Sequence, residues 1–157
     1  MRIFLSIIGL LFLLNSCTKE TQDTIENEVN PTISNTPKIE LLEVNQQSVV
    51  AYEDQLIFTI EYLDGDGDLG SLDPDKMNIE LVDQRDPALL IFGYHLSPRA
   101  PEGSEISIQG TLDIILDNTI LLDSDNSTEN TTFKIRILDE AGNWSNEVES
   151  PVITISK

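Results

Sequence analysis

The chain has 157 residues, of which 28 are acidic and 9 are basic, so that its formal net charge is −19 at pH 7. A charge of this sign and size repels nucleic-acid phosphates and anionic lipid headgroups, which excludes nucleic acid as a partner and favours divalent cations. The single cysteine excludes an intramolecular disulfide.

The N-terminus has the pattern of an export signal: a short positive start, Met1-Arg2, is followed by an almost wholly apolar segment, 3–14. Those twelve residues would span only ~18 Å as a helix, which is short of the ~30 Å hydrocarbon core of a bilayer, so a cleaved signal peptide is favoured. The tetrapeptide Leu14-Asn-Ser-Cys17 resembles the lipobox of bacterial lipoproteins, which implies cleavage after Ser16 and a lipid on Cys17. The alternative is a cysteine that follows an ordinary secretory signal by chance.

The segment 18–37 is polar and acidic and has no hydrophobic periodicity, so we expect a disordered tether there. Lys19-Glu20 resembles the short charged export signal of Bacteroidota-type surface lipoproteins. This resemblance implies an outer-membrane lipoprotein at the cell surface rather than on the periplasmic face. Asp23-Thr24-Ile25 fits the O-glycosylation pattern of the same bacteria, which makes Thr24 a candidate glycosylation site.

From Lys38 to Lys157 the pattern changes to short apolar runs separated by turn residues, enough for one domain. Two runs place every second residue on one apolar face, which is the period of a half-buried strand: Leu56, Phe58, Ile60, Phe133, Ile135 and Ile137. Strands are predicted at 38–44, 55–63, 78–83, 89–96, 105–116, 131–138 and 147–156. Because no segment combines helical periodicity with helix caps, the sequence predicts an all-β sandwich.

The segment Asp139-Glu-Ala-Gly-Asn143-Trp-Ser145 is similar to the final hairpin of bacterial immunoglobulin-like and fibronectin type III-like domains. The resemblance implies an immunoglobulin-like antiparallel sandwich of about seven strands. In that topology 64–75 is the loop after the second strand and 139–143 is the last hairpin turn, and both lie at the same end of the domain. Such sandwiches serve many roles, so the fold alone does not define a function.

The strongest local signal is a run of alternating acids that begins at Asp64. Asp64, Asp66 and Asp68 are separated by glycines, and Asp73 and Asp75 follow. The run resembles the calcium loops of EF-hands, dockerins and thrombospondin-type repeats, because several carboxylates around one point suit the six to eight oxygens of Ca²⁺. It departs from an EF-hand, since its glycine is at the seventh position and a strand precedes it. The alternative is an acidic turn without a ligand.

The sequence therefore predicts a Ca²⁺ site formed by these five aspartates, with Asp139 as a sixth candidate across the end of the sandwich. We find no Ser-His-Asp set, zinc cluster or phosphate loop, and the only histidine, His95, has the surroundings of a packed or rim residue. The favoured function is a lipid-anchored, calcium-stabilised module that presents a surface to proteins or glycans, not an enzyme. The alternative is a small hydrolase, carbohydrate-active or other, that uses the acidic cluster.

Overall fold

The structure is a computed structural model that describes residues 33–157. The predicted signal peptide, the predicted lipidation site Cys17, the glycosylation candidate Thr24 and most of the predicted tether lie outside the described residues. Within 33–157 we find no helix with the length and apolarity to cross a membrane.

The described chain is all-β, as predicted, and no α-helix occurs between residues 33 and 157. It has ten strands: β1 Lys38–Val44, β2 Ser48–Val50, β3 Leu56–Asp64, β4 Ile79–Asp83, β5 Ile91–Tyr94, β6 Ile108–Leu116, β7 Thr128–Thr131, β8 Phe133–Ile137, β9 Val148–Glu149 and β10 Ile153–Ser156.

All seven predicted strands are present, but the strand count of about seven was too low. The predicted last strand is divided into β9 and β10 at Pro151, because proline lacks the N–H that would continue the ladder. The strands β2 and β7 were not predicted. β2 has only three residues, and β7 has the sequence Thr-Glu-Asn-Thr without an apolar residue, so neither shows an apolar period of two.

The strands form three sheets with the orders β1-β3-β6, β2-β10-β7 and β5-β4-β8-β9. The strand pairs are antiparallel, as predicted, except for one, since β10 pairs with β2 in parallel. A parallel pair needs a long connection, and these two strands are separated by most of the domain sequence. The immunoglobulin-like topology itself stays a prediction.

The predicted core phase is confirmed. Phe58 of β3 and Phe133 of β8 are fully buried, and their ring centroids lie 5.2 Å apart, so strands of two different sheets face each other across the core. Alternate residues of both strands are buried: Leu56, Phe58, Ile60, Phe133, Ile135 and Ile137.

The inward phase of both strands continues to an aspartate. In β3 every second residue from Leu56 is buried, and the series ends at Asp64, which has 0% exposure. After Ile137, the last residue of β8, the next inward-pointing residue is Asp139, which is also 0% exposed. The loop after Asp64 then crosses from the sheet of β3 to the sheet of β4. The acidic segment is thus held at one end of the core, against the turn after β8.

Candidate metal site

The turn after β3 is closed by hydrogen bonds and by one glycine. The backbone N–H of Gly67 donates to Asp64 Oδ2 at 3.0 Å, and the hydroxyl of Ser107 donates to the Asp64 carbonyl at 3.2 Å. Gly67 has φ +79°, and a Cβ at this residue would lie 2.5 Å from the Ile106 carbonyl oxygen. A side chain is therefore excluded here, and the glycine lets the backbone fold tightly between successive carboxylates.

Asp64, Asp66 and Asp68 each place one carboxylate oxygen so that the three atoms lie within 4.8 Å of one another. Calcium binds oxygens at about 2.3–2.6 Å, so ligands on opposite sides of one ion are separated by up to ~5 Å. The spacing of the three oxygens fits a single cation between them. The donor set contains only carboxylate oxygens, which are the ligands that suit hard cations such as Ca²⁺, Mg²⁺ and Mn²⁺.

The same three side chains carry buried oxygens without a hydrogen-bond donor. Oδ1 of Asp64, of Asp66 and of Asp68 are each shielded from solvent, and none has a partner within the described chain. An unpartnered buried polar atom costs free energy, and the cost is larger for a charged group. Because all three belong to one cluster, a bound cation would satisfy them together.

Burial and mutual repulsion raise the pKa of two of these carboxyls. Burial is the largest cause for Asp64, followed by the charge of Asp66 and, after the opposing effect of the Gly67 N–H, the charge of Asp139. For Asp68, burial and the charges of Asp139, Asp66 and Asp64 raise the pKa to about 6, although the Ala141 N–H opposes the shift. The cluster is thus poorly compensated, which is the electrostatic condition that a divalent cation relieves.

Asp139 lies beside the cluster, and its turn is tied to the acidic segment. Asp139 and Leu69 form an isolated β-bridge, the Glu140 N–H donates to the Asp68 carbonyl at 3.1 Å, and the Ala141 N–H donates to Asp68 Oδ2 at 3.0 Å. The two loops that the sequence predicted at one end of the sandwich therefore meet.

The carboxylate of Asp139, however, already has partners within its own turn. Its Oδ1 accepts the Asn143 backbone N–H at 2.6 Å, and its Oδ2 accepts the Asn143 side-chain amide at 2.9 Å. Asp139 is outside the group of three whose oxygens converge. Its direct role is to shape the turn, and it adds negative charge next to the cluster.

Asp73 and Asp75, predicted as ligands, are not brought to the cluster. Both are exposed, and they interact with each other, since the Asp75 N–H donates to Asp73 Oδ1 at 3.0 Å. The chain leaves the cluster at Leu69, whose carbonyl accepts the Arg99 N–H at 3.0 Å. Two residues later the Ser71 N–H donates to the Leu96 carbonyl at 2.8 Å. These bonds hold the following residues against the segment before β6. Asp75 therefore does not reach the position of the twelfth ligand of an EF-hand, although its spacing in the sequence matches.

A groove of about 840 Å³ lies on the outer side of the cluster. Asp66 and Asp68 border it, and its opposite wall is formed by 98 and 100–105, with Glu140 from the turn after β8. Sequence reasoning missed this groove. Its wall belongs to a loop without periodicity, and only the acids on either side of Gly103, Glu102 and Glu105, gave any signal.

Comparisons of the chain with models of protein families, with curated proteins and with solved structures found no match.

Proposed function

We propose that this protein is a lipid-anchored extracytoplasmic binding module whose β-sandwich is stabilised by a calcium ion held by Asp64, Asp66 and Asp68. The observation that carries the calcium part is the set of three buried Oδ1 atoms, one from each carboxylate, that lack a hydrogen-bond donor. Calcium is favoured over magnesium because it accepts irregular oxygen cages, whereas Mg²⁺ requires octahedral geometry and retains its waters.

The cation would act as a structural link. Asp64 closes β3, and Asp68 accepts the Ala141 N–H from the turn after β8. Neutralising these carboxylates would remove the repulsion between two loops that hydrogen bonds already hold together. We therefore propose that the ion fixes one end of the sandwich, where the loops present a surface to a protein or glycan partner.

Calorimetric titration of Ca²⁺ into the metal-free protein tests this assignment. An extracellular module is expected to bind with a Kd of ~10⁻⁴–10⁻³ M. Asp66→Ala, and Asp64→Asn combined with Asp68→Asn, should abolish the binding heat. The matched control is Asp73→Asn with Asp75→Asn, which removes two exposed acids from the same segment and should change the Kd by less than about twofold. Equal losses in control and cluster variants would refute the assignment.

The anchor and the location are proposed from Leu14–Cys17 and from Lys19-Glu20. Cys17→Ser should abolish fatty-acid labelling and release the protein from the membrane fraction. Protease treatment of intact cells should remove the domain if it is on the cell surface. Protection in intact cells, with digestion only after lysis, would place it on the periplasmic face of the outer membrane.

A small hydrolase is the second candidate, and one observation favours it: Asp68 borders the groove, and its pKa is raised to about 6. A general acid near neutral pH needs a carboxyl of this kind. His95 adds nothing to such a site, because its Nδ1 lies 3.2 Å from the Lys76 carbonyl and its Nε2 lies 3.4 Å from the Ser97 hydroxyl. Turnover of glycosides or esters that is lost in Asp68→Asn would favour this candidate over the calcium module.

A further inference from the structure

The groove beside the metal cluster, here called the acidic groove, has the dimensions of a ligand site. Its volume of about 840 Å³ falls within the ~300–1,000 Å³ that is usual for pockets that bind small groups. One wall is the acidic segment from Asp66 to Asp73, and the other consists of 98 and 100–105 together with Glu140.

The acidic groove is more acidic than the chain as a whole and has no basic residue in its lining. Six of its sixteen lining residues are Asp or Glu, compared with 28 of 157 in the chain. Among the described residues, only Glu140 of these six is in a salt bridge, with Lys76 at 3.8 Å. The remaining carboxylates are without a cationic partner from the domain: Asp66, Asp68, Asp73, Glu102 and Glu105.

The walls between these acids are apolar and open to solvent. Leu72 is 68% exposed, and Pro98 and Pro101 are exposed as well. Such a wall favours a ligand with a hydrocarbon part, while the carboxylates favour a positive charge. Lysine and arginine side chains combine both, because their methylene stems lie along apolar surface and their charged ends stay at the polar edge.

We propose that the acidic groove is a docking site for a basic side chain, lysine or arginine, presented by a segment of a protein partner. The charge complementarity and the apolar walls point to this occupant, and the net charge of the chain disfavours an anionic one. The proposal goes beyond the calcium site, since Glu102, Glu105 and Asp73 lie outside the metal cluster and would not be ligands of a cation bound there.

The test uses the mature protein, ¹⁵N-labelled and in detergent micelles, with acetyl-Ala-Lys-Ala-amide as the probe. The neutral control probe replaces lysine by norleucine, which has the same stem without the charge. Titration is done at about 0.15 M NaCl, where exposed charges more than ~8 Å away are screened. The lysine probe should give saturable shifts centred on the amides of Leu72, Ala100 and Gly103, and the norleucine probe should bind at least about fivefold more weakly.

A matched pair of variants separates the groove from general surface acidity. Glu102→Gln with Glu105→Gln should weaken the lysine probe by about tenfold, because two of the facing charges are lost. Glu43→Gln with Glu53→Gln removes two other exposed acids, one in β1 and one in the turn after β2, and should leave the affinity unchanged. Equal weakening by both pairs, or shifts scattered over the surface, would overturn the proposal.

The titration is repeated in several millimolar Ca²⁺ so that its result does not depend on the metal site. Saturable binding of the lysine probe that persists in Ca²⁺, weakened only by neutralisation of the charges of Asp66 and Asp68, supports a separate groove site. Displacement of the probe by Ca²⁺ would overturn the proposal, because the lysine would then only replace a metal ion at the cluster.

Discussion

Asp64 and Asp139 lie at equivalent places on two facing sheets, Asp64 at the end of β3 and Asp139 just after the end of β8. Each aspartate is the next inward-pointing residue after the buried apolar residues of its strand, and each is fully buried. The charge of Asp139 also contributes to the raised pKa of Asp64, so the two carboxyls influence each other at one end of the core. This end of the sandwich is closed by acids where an aliphatic side chain would be expected.

The first prediction concerns the phase of β8. Ile135 is 1% exposed, and Ile135→Ala should lower the free energy of unfolding by roughly 2–5 kcal/mol in urea denaturation. The neighbouring Lys134 points outward to Glu147 at 2.7 Å, and Lys134→Ala should change stability little. Comparable losses for the two variants would mean that the assigned phase is wrong.

The second prediction is a pH dependence of the metal-free protein. Because the folded pKa values of Asp64 and Asp68 are raised, the folded state binds protons more tightly than the unfolded state. Their ionisation destabilises the fold at neutral pH, and stability should rise as the pH falls through about 6, the pKa of Asp68, toward the ordinary value of 3.8. Thermal melting in chelator between pH 7 and about pH 5 measures this.

Calcium should show the opposite trend, since protons and the metal compete for the same carboxylates. The Ca²⁺-dependent rise in melting temperature should shrink over the same pH interval. Asp64→Asn with Asp68→Asn should remove both effects. A metal-free midpoint that falls between pH 7 and pH 5 would contradict the assigned pKa directions.

The sequence alone predicts the phase of β8, but it does not predict the burial of Asp64 on which the pH dependence rests. The alternation of Phe133, Ile135 and Ile137 predicted their burial correctly, because a period of two directly reports which residues share a face. The same alternation extends to Asp64, but an acid at the end of an apolar series is read as the start of a loop. Its burial depends on the facing turn at Asp139, which is a long-range contact.

For the metal ligands too, local spacing could be predicted from the sequence and long-range contacts could not. The spacing of Asp64, Asp66 and Asp68 is local, and the sequence predicted the group that the structure brings together. The sequence predicts Asp75 as a ligand from its EF-hand-like spacing, and Asp73 as a further carboxylate of the same run. The segment that contains them is held away from the cluster by hydrogen bonds to distant residues, such as the bond from the Ser71 N–H to the Leu96 carbonyl. No local sequence pattern reports such a contact.

The third prediction concerns a charge network at the end of β4. Asp83 is 2% exposed, and its carboxylate accepts the Arg85 Nε–H at 3.0–3.1 Å and the Thr131 hydroxyl at 2.6 Å. Arg85 also binds Glu129 at 2.6 Å. Arg85→Met should cost about 3–5 kcal/mol of unfolding free energy, because it leaves a buried carboxylate without its cation.

The control for that variant is Arg136→Met, whose partner Glu80 is more exposed, and which should cost much less. The Arg85 network should also resist acid. Backbone N–H groups of Leu122 and Asp123, together with Arg85, lower the pKa of Glu129 to about 2. Its contribution is present above the ordinary value of 4.5 and is lost only as the pH falls toward 2. Equal costs for the two arginine variants in chemical denaturation would refute this ranking.

The fourth prediction concerns the segment that enters the domain. A Cβ on Gly65 would lie 2.6 Å from the carbonyl oxygens of both Ile33 and Ser34, so Gly65→Ala should displace these residues from the acidic segment. Faster limited proteolysis at 33–37 is the expected readout. Gly103→Ala is the control for backbone strain without a clash, because Gly103 has φ +73° but its Cβ would meet nothing within 4 Å, so cleavage at 33–37 should not change. Unchanged cleavage in Gly65→Ala would show that the contact does not hold the segment.

The central claim, that the carboxylates of Asp64, Asp66 and Asp68 hold calcium, is tested most directly by thermal melting in Ca²⁺, in Mg²⁺ and in chelator. With ~1 mM free Ca²⁺ and a Kd of ~0.1 mM, binding adds about 1.4 kcal/mol to the stability of the folded state. For a domain of this size we predict a midpoint several degrees higher in Ca²⁺ than in chelator, with a much smaller effect of Mg²⁺. An unchanged midpoint at several millimolar Ca²⁺ would contradict it.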